Sequence, residues 1–157
     1  MFVRYFVEVP YPFEVAEEAL LRAPSEWAPG LARSADRKGT ALLLEVGFDF
    51  DGNRRLEKEV EIDIGQPVRL ESRTVLPMTW KATGAQGLFP MLEGDLEVAA
   101  LGPNNTQLAV SAQYHPPLGI VGRVMDRALL HRIAEATVKD FVDRMAHTLH
   151  EMVSIQT

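Results

Sequence analysis

"YHPPLGIVGRVMDRALLHRIAEATVKDFVDRMAHTLHEMV", residues 114–153, decides the fold. It begins as a strand, crosses two prolines and two glycines, and continues in a helical pattern to about Val153. Ile120, Val124, Arg127, His131, Ala134, Val138, Phe141, Met145, Leu149 and Met152 follow the three-to-four spacing of one helical face. From Ala134 onward that stripe is apolar. The opposite face carries Lys139, Asp140, Asp143, Arg144, His147 and His150, so this half packs on something apolar.

Upstream the stripe holds Arg127 and His131, with Glu135 on its border, while Val121, Met125, Ala128, Leu129 and Ile133 lie on a turned face. Two readings follow. A break or a rotated packing near 131–133 would send the charges to water, since unpaired charges are rarely buried. A straight helix would aim Arg127, His131 and Glu135 into a cavity mouth. There Arg is a fixed anion partner and His a proton carrier near neutral pH. The second apolar face would then need a cover, from other helices or from a dimer partner.

What precedes this helix is mostly strand. "FVRYFVEV" (2–9) is rich in β-branched and aromatic residues. Two short helices are predicted at about 13–22 and 25–36, interrupted by Pro24 and Pro29, with Ser25 as N-cap of the second. "TALLLEVGFDF" (40–50) predicts a strand with Leu42, Leu44, Val46, Phe48 and Phe50 on one face and Glu45 on the other. "DGN" (51–53) supplies a hairpin turn. In "RRLEKEVEIDI" (54–64) Leu56, Val60, Ile62 and Ile64 alternate with charge, one solvated face of an antiparallel sheet. Strand segments follow at 68–76 and 78–84, around a Pro77 that suggests an edge or bulge. The last hairpin is 89–102 and 106–115, joined by "PNN". Only the long helix remains to cover the apolar face of such a sheet.

The order of elements resembles the START-like, Bet v 1-like superfamily, also called SRPBCC or the polyketide cyclase/dehydrase group. The resemblance spans nearly the whole chain. It rests also on "PYPFEVAEEAL", Trp27, "TW" at 79–80, "LFPMLEGDLEV" at 88–98 and "YHPPLGIVGRVMD" at 114–126. It implies an α+β helix-grip fold: a curved antiparallel sheet of about seven strands wrapped on a long C-terminal helix, with two short helices after strand 1. It also implies an internal hydrophobic cavity, and no single activity, because a fold hosts many functions.

Composition sets outer bounds. The 157 residues suit one domain spanning 1–157, and 46% hydrophobic with 24% charged is ordinary for a soluble globular protein. A net charge of -6 argues against nucleic acid as the main partner. With no cysteine there is no disulfide framework or thiolate chemistry. The opening residues lack the apolar core of a secretory signal and no run is long enough to cross a bilayer, so a cytoplasmic protein without integral membrane association is expected. The sequon at Asn104 is then idle.

The remaining motifs favour structural readings. His115, before Pro116-Pro117, reads as a solvated edge residue. His147, His150 and Glu151 offer too few ligands, in the wrong order, for a zinc site. "GAQG" (84–87) lacks the helix and Lys-Ser/Thr of a phosphate loop. Asp95 and Glu97 sit on a solvated sheet face. Neither a metal nor a cofactor is expected. The cavity wall is expected to include Phe48, Trp80, Phe89, Met91, Tyr114, Val138 and Phe141, with Arg127 and His131 at its mouth.

Two functions remain. The first is a binding module for a hydrophobic small molecule (lipid, polyketide-like or aromatic), which needs only an apolar pocket with a few polar groups. The alternative is a cyclase/aromatase/dehydrase-type enzyme. Arg127, His131 and Glu135 would be its weak catalytic candidates: His131 takes a proton and Arg127 stabilises the enolate. In a third reading the cavity is collapsed and the protein acts by contact.

Overall fold

The computed structural model describes residues 1–45, 60–82, 91–115 and 127–156. Its elements are β1 (Phe2–Val9), α1 (Phe13–Leu21), α2 (Pro24–Glu45), β2 (Val60–Ile64), β3 (Val68–Arg69), β4 (Arg73–Ala82), β5 (Met91–Gly102), β6 (Asn105–His115) and α3 (Arg127–Ile155). All strand pairs are antiparallel, in the order β1-β6-β5-β4-β2, with β3 also on β4. The result is the expected α+β arrangement, a curved antiparallel sheet with a long C-terminal helix and two earlier helices. Six strands are described rather than about seven.

Alternation along each strand builds the inner face. Register places Ile62, Trp80, Leu92 and Tyr114 in one row across the sheet, and Ile64, Met78, Gly94, Ala112 and Val3 in the next. These rows join the core with Val138, Phe141, Val142, Met145 and Leu149 of α3. Trp80 lies against Phe141, ring centroids 4.9 Å apart. On the outer face Glu61, Asp63 and Asp95 are exposed, as the alternation predicts. Glu97 there meets Arg73 at 3.3 Å.

Pro77 does not break β4, which runs unbroken through it. The Pro77 carbonyl accepts from Gly65 N–H at 2.8 Å. The proline therefore turns its missing N–H toward the side where β2 has ended and β3 begins, and costs no bond to β5.

The strand expected at 40–50 is corrected over 40–45, which are the last turns of α2, and 46–50 lie outside the described residues. Nor is α2 short, for it spans 22 residues. It starts at Pro24, so Ser25 lies in its first turn and is not its N-cap. Pro at the first helical position is favourable. Pro29, about a turn later, forfeits only the bond to the Ser25 carbonyl. Ala23 ahead of it takes φ 46°, a left-handed conformation that turns the chain from α1 into α2. Trp27 donates from its ring N–H to the Leu20 carbonyl at 3.1 Å, fastening the two helices.

The physical reason α2 continues is visible in its buried stripe. Ala28, Ala32, Ala35, Asp36, Gly39 and Leu43 are all buried, at helical spacing. Ala41 to Leu44 are strong helix formers, and the strand-like alternation is incidental, since Leu43 is buried while Leu42 is only half-buried. Gly39, a weak helix former, is where α3 approaches. A Cβ there would stand 2.5 Å from Thr137 Oγ1. Thr137 is itself fixed by donating to the Ile133 carbonyl at 2.8 Å. Leu43 then covers Leu130 and Ile133 of α3. Of the face expected to need a cover from the short helices or a dimer partner, Leu129 and Ile133 pack with Leu43 of α2, Ala128 is exposed, and Val121 and Met125 lie outside the described residues.

This contact yields a test. Gly39→Ala is expected to destabilise the protein by about 1–3 kcal/mol through overpacking. In a Thr137→Ala background the same change is expected to become neutral or stabilising, because alanine is the better helix former by about 1 kcal/mol. A double-mutant cycle by chemical denaturation measures the sign reversal.

Candidate functional site

An open volume lies against the inner sheet face at the corner where α1 meets α2. It measures about 430 Å³ and is lined by Leu21, Pro24, Ser25, Pro29, Ile62, Ile64, Gly65, Gln66, Pro67 and Leu76. Ile62 and Ile64 come from the alternation of β2, and Pro24, Ser25 and Pro29 come from the first turns of α2. The lining is mostly apolar, with Ser25 and Gln66 as polar points. Ile62 is the register neighbour of Trp80, which with Leu92 and Tyr114 is packed in the core and does not line the pocket.

Tyr114, at the far end of that row, carries the interior's least satisfied polar atom. Its hydroxyl is buried without a hydrogen-bond partner among the described residues. Burial pushes the phenol pKa well above its ordinary value, and the Asp36 carboxylate of α2 adds to this. The group thus stays protonated and offers a neutral O–H donor. Trp80, Tyr114, Val138 and Phe141 share one buried cluster. Phe48 and Phe89 fall outside the described residues. Met91 is a correction: register pairs it with His115 and Lys81 on the outer face, where it is half-buried. One residue of parity separates it from the inner Leu92.

The charged row on α3 faces water. Arg127 is exposed, and His131 Nε2 lies 3.1 Å from Glu135 Oε1 with both side chains about half exposed. The helix is unbroken from Arg127 to Ile155, so the rotated packing, without a break, describes it. Its buried residues run Leu130, Ile133, Ala134, Thr137, Val138, Phe141, Val142, Met145, Leu149. The first two follow α2 instead of the sheet, which keeps Arg127, His131 and Glu135 off the apolar pocket, and Glu135 instead lines an open surface groove of about 420 Å³ with Tyr5, Arg132 and Lys139. His115 pairs with Glu93 at 3.4 Å, both half exposed. His147 and His150 part company: His147 meets Glu151 at 3.4 Å, and the His150 ring bonds the Tyr11 hydroxyl.

One cluster has no counterpart in the sequence reading. Glu17 of α1 is buried above the inner edge of the sheet. Arg69 holds both its oxygens, Nε to Oε1 and Nη2 to Oε2, each at 3.0 Å. Buried Thr74 donates its hydroxyl to Oε1. Arg69 and Thr74 are register partners on β3 and β4, so both reach the same face. The Arg69 bonds, opposed by burial and aided by Thr74, hold the Glu17 carboxyl below its ordinary pKa of 4.5. Helical spacing alone could have flagged it: Phe13, Ala16, Glu17 and Leu20 form one stripe, and a carboxylate in such a stripe requires a partner.

Comparison with known proteins bears on the fold. No family model and no curated protein sequence matches the chain. Among solved structures, a conserved protein from Geobacillus kaustophilus aligns over 96% of each chain with a TM-score of 0.57 at 10% identity. At that identity the likeness shows a shared fold and nothing of chemistry. An aromatase/cyclase from Streptomyces aligns over 98% of this chain and 95% of its own at 12% identity, TM-score 0.44. Norcoclaurine synthase from Thalictrum flavum aligns over 88% and 84% at 14% identity, TM-score 0.36.

Two substitutions probe these groups. Glu17→Gln is expected to cost about 1–2 kcal/mol at neutral pH, since it weakens a bidentate pair in a largely buried site. Because the folded-state pKa is depressed, this contribution is present above the unfolded value and lost as pH falls through the folded one. The stability gap between wild type and Glu17→Gln should therefore be full above pH 4.5 and close on acidification, read by denaturation at a series of pH values. Tyr114→Phe, in contrast, is expected to leave thermal stability unchanged or raise it by up to about 1 kcal/mol, because it deletes an unpaired buried hydroxyl.

Proposed function

We propose that the protein binds a hydrophobic small molecule against the inner face of its sheet. The observation that carries this reading is the apolar pocket of about 430 Å³ between the α1–α2 corner and β2–β4. That volume is within the roughly 300–1,000 Å³ range of small-molecule sites, and its few polar points among apolar walls are the usual composition of one. Leu21, Ile62, Ile64 and Leu76 supply the apolar surface. Trp80, Tyr114, Val138 and Phe141, the expected wall residues, are packed in the core behind the pocket and do not line it.

Binding is preferred to turnover because of where the ionisable groups lie. A cyclase or dehydrase needs an acid or base within hydrogen-bond reach of its substrate. Arg127 and His131 do not line the apolar pocket, and Glu135 lines an open surface groove that shares no residue with it. Near the pocket itself, Glu17 is occupied by Arg69 and Thr74 and held ionised, which suits it to fixing α1 more than to exchanging protons.

Native mass spectrometry of freshly purified protein is expected to show a copurifying small molecule, and Nile red is expected to bind saturably to the emptied protein. Ile62→Trp fills the pocket from a half-buried position and should weaken Nile red by roughly tenfold, a loss of about 1.4 kcal/mol. Absence of both a copurified molecule and saturable dye binding would sink the proposal, as would dye affinity indifferent to Ile62→Trp.

A further inference from the structure

A second groove lies on the far side of α2, away from the sheet. Gly30, Ser34, Arg37 and Lys38 are spaced i, i+4, i+7, i+8 along α2, and Asp140, Arg144, His147 and Thr148 have the same spacing on α3. With Leu31 these two stripes line a groove of about 490 Å³ between the helices. Three permanent cations and one histidine thus meet a single carboxylate, in a chain whose net charge is -6.

That carboxylate is already engaged. Asp140 Oδ2 accepts from Ser34 Oγ at 3.1 Å and from Arg144 Nε at 3.0 Å. Arg144 keeps four further N–H donors. Arg37 and Lys38 are exposed, and neither makes an ion pair with the described residues. His147 has only the mostly exposed Glu151 at 3.4 Å, a pair worth little in water. A Cβ placed on Gly30 would meet no atom within 4 Å, so the groove is open at that end.

We propose that this groove binds a phosphate group. Two guanidinium groups and an ammonium lining one groove from two helices match the several oxygens and double charge of a phosphate better than the two oxygens of a carboxylate. The groove is separate from the apolar pocket and shares no lining residue with it, so either site can fail alone.

The test titrates the full chain with inorganic pyrophosphate at fixed ionic strength and follows backbone amide NMR shifts. Saturable shifts at Ser34, Lys38, His147 and Thr148 are expected. R37E/K38E should weaken them roughly tenfold or more, as a reversal of two charges at one anion site implies. Gly30→Asp, which places a carboxylate in open space, should weaken them in the same direction without disturbing the fold. A parallel arm sediments the protein with phosphatidate vesicles. Binding there but not to pyrophosphate, lost in the same variants, assigns the phosphate to a lipid headgroup. Binding to neither probe, or binding that both variants retain, overturns the proposal.

Discussion

Thr137 of α3 occupies the space that a side chain on Gly39 would fill, and much of the molecule follows from that contact. Close approach at this point lets α2 run on as a helix past residue 39, where it brings Leu43 over Leu130 and Ile133. Once those two residues have a helical partner, the first turns of α3 need not present their apolar face to the sheet. Arg127, His131 and Glu135 are thereby rotated into water. A single missing methyl group thus reaches, through packing, the direction of the only charged row that suggested catalysis.

The sheet and the C-terminal helix were legible because periodicity is a strong signal where an element is half-buried. The alternation of Val60 to Ile64 and the stripe from Ala134 to Leu149 both reappear as burial. Residues 40–45 were not legible in the same way. "TALLLE" satisfies a strand template by Leu42 and Leu44 and a helix template by Leu43. Only the tertiary contact at Gly39 and Leu43 chooses between them. Met91 failed for a related reason: a strand assigned from 89 onward has no parity until its register partner, His115, is known.

The aromatic pair of the core could be read from composition, because Trp80 and Phe141 have nowhere else to go in a domain of this size. The pocket itself could not, since it depends on where the first turns of α2, with Pro24 and Pro29, meet β2. The Glu17 cluster was hidden by distance along the chain, 52 residues separating it from Arg69. Local spacing marks Glu17 as a buried carboxylate, yet names no partner. Charge on a helix face likewise says nothing of a groove until a second helix lies beside it, as α3 does beside Arg37 and Lys38.

The join between β2 and β3 on β4 has a consequence for how the protein meets other chains. The two short strands cover β4 from residues 78–82 and at 74–75, leaving a gap about Pro77. An open strand segment ordinarily invites an extended peptide to add alongside it. Here the gap shows a proline with no N–H to give, and its carbonyl is already taken by Gly65. A foreign strand would find neither donor nor acceptor there, so at this break in the sheet's outline intermolecular β-addition, the first step of amyloid-like assembly, gains no purchase.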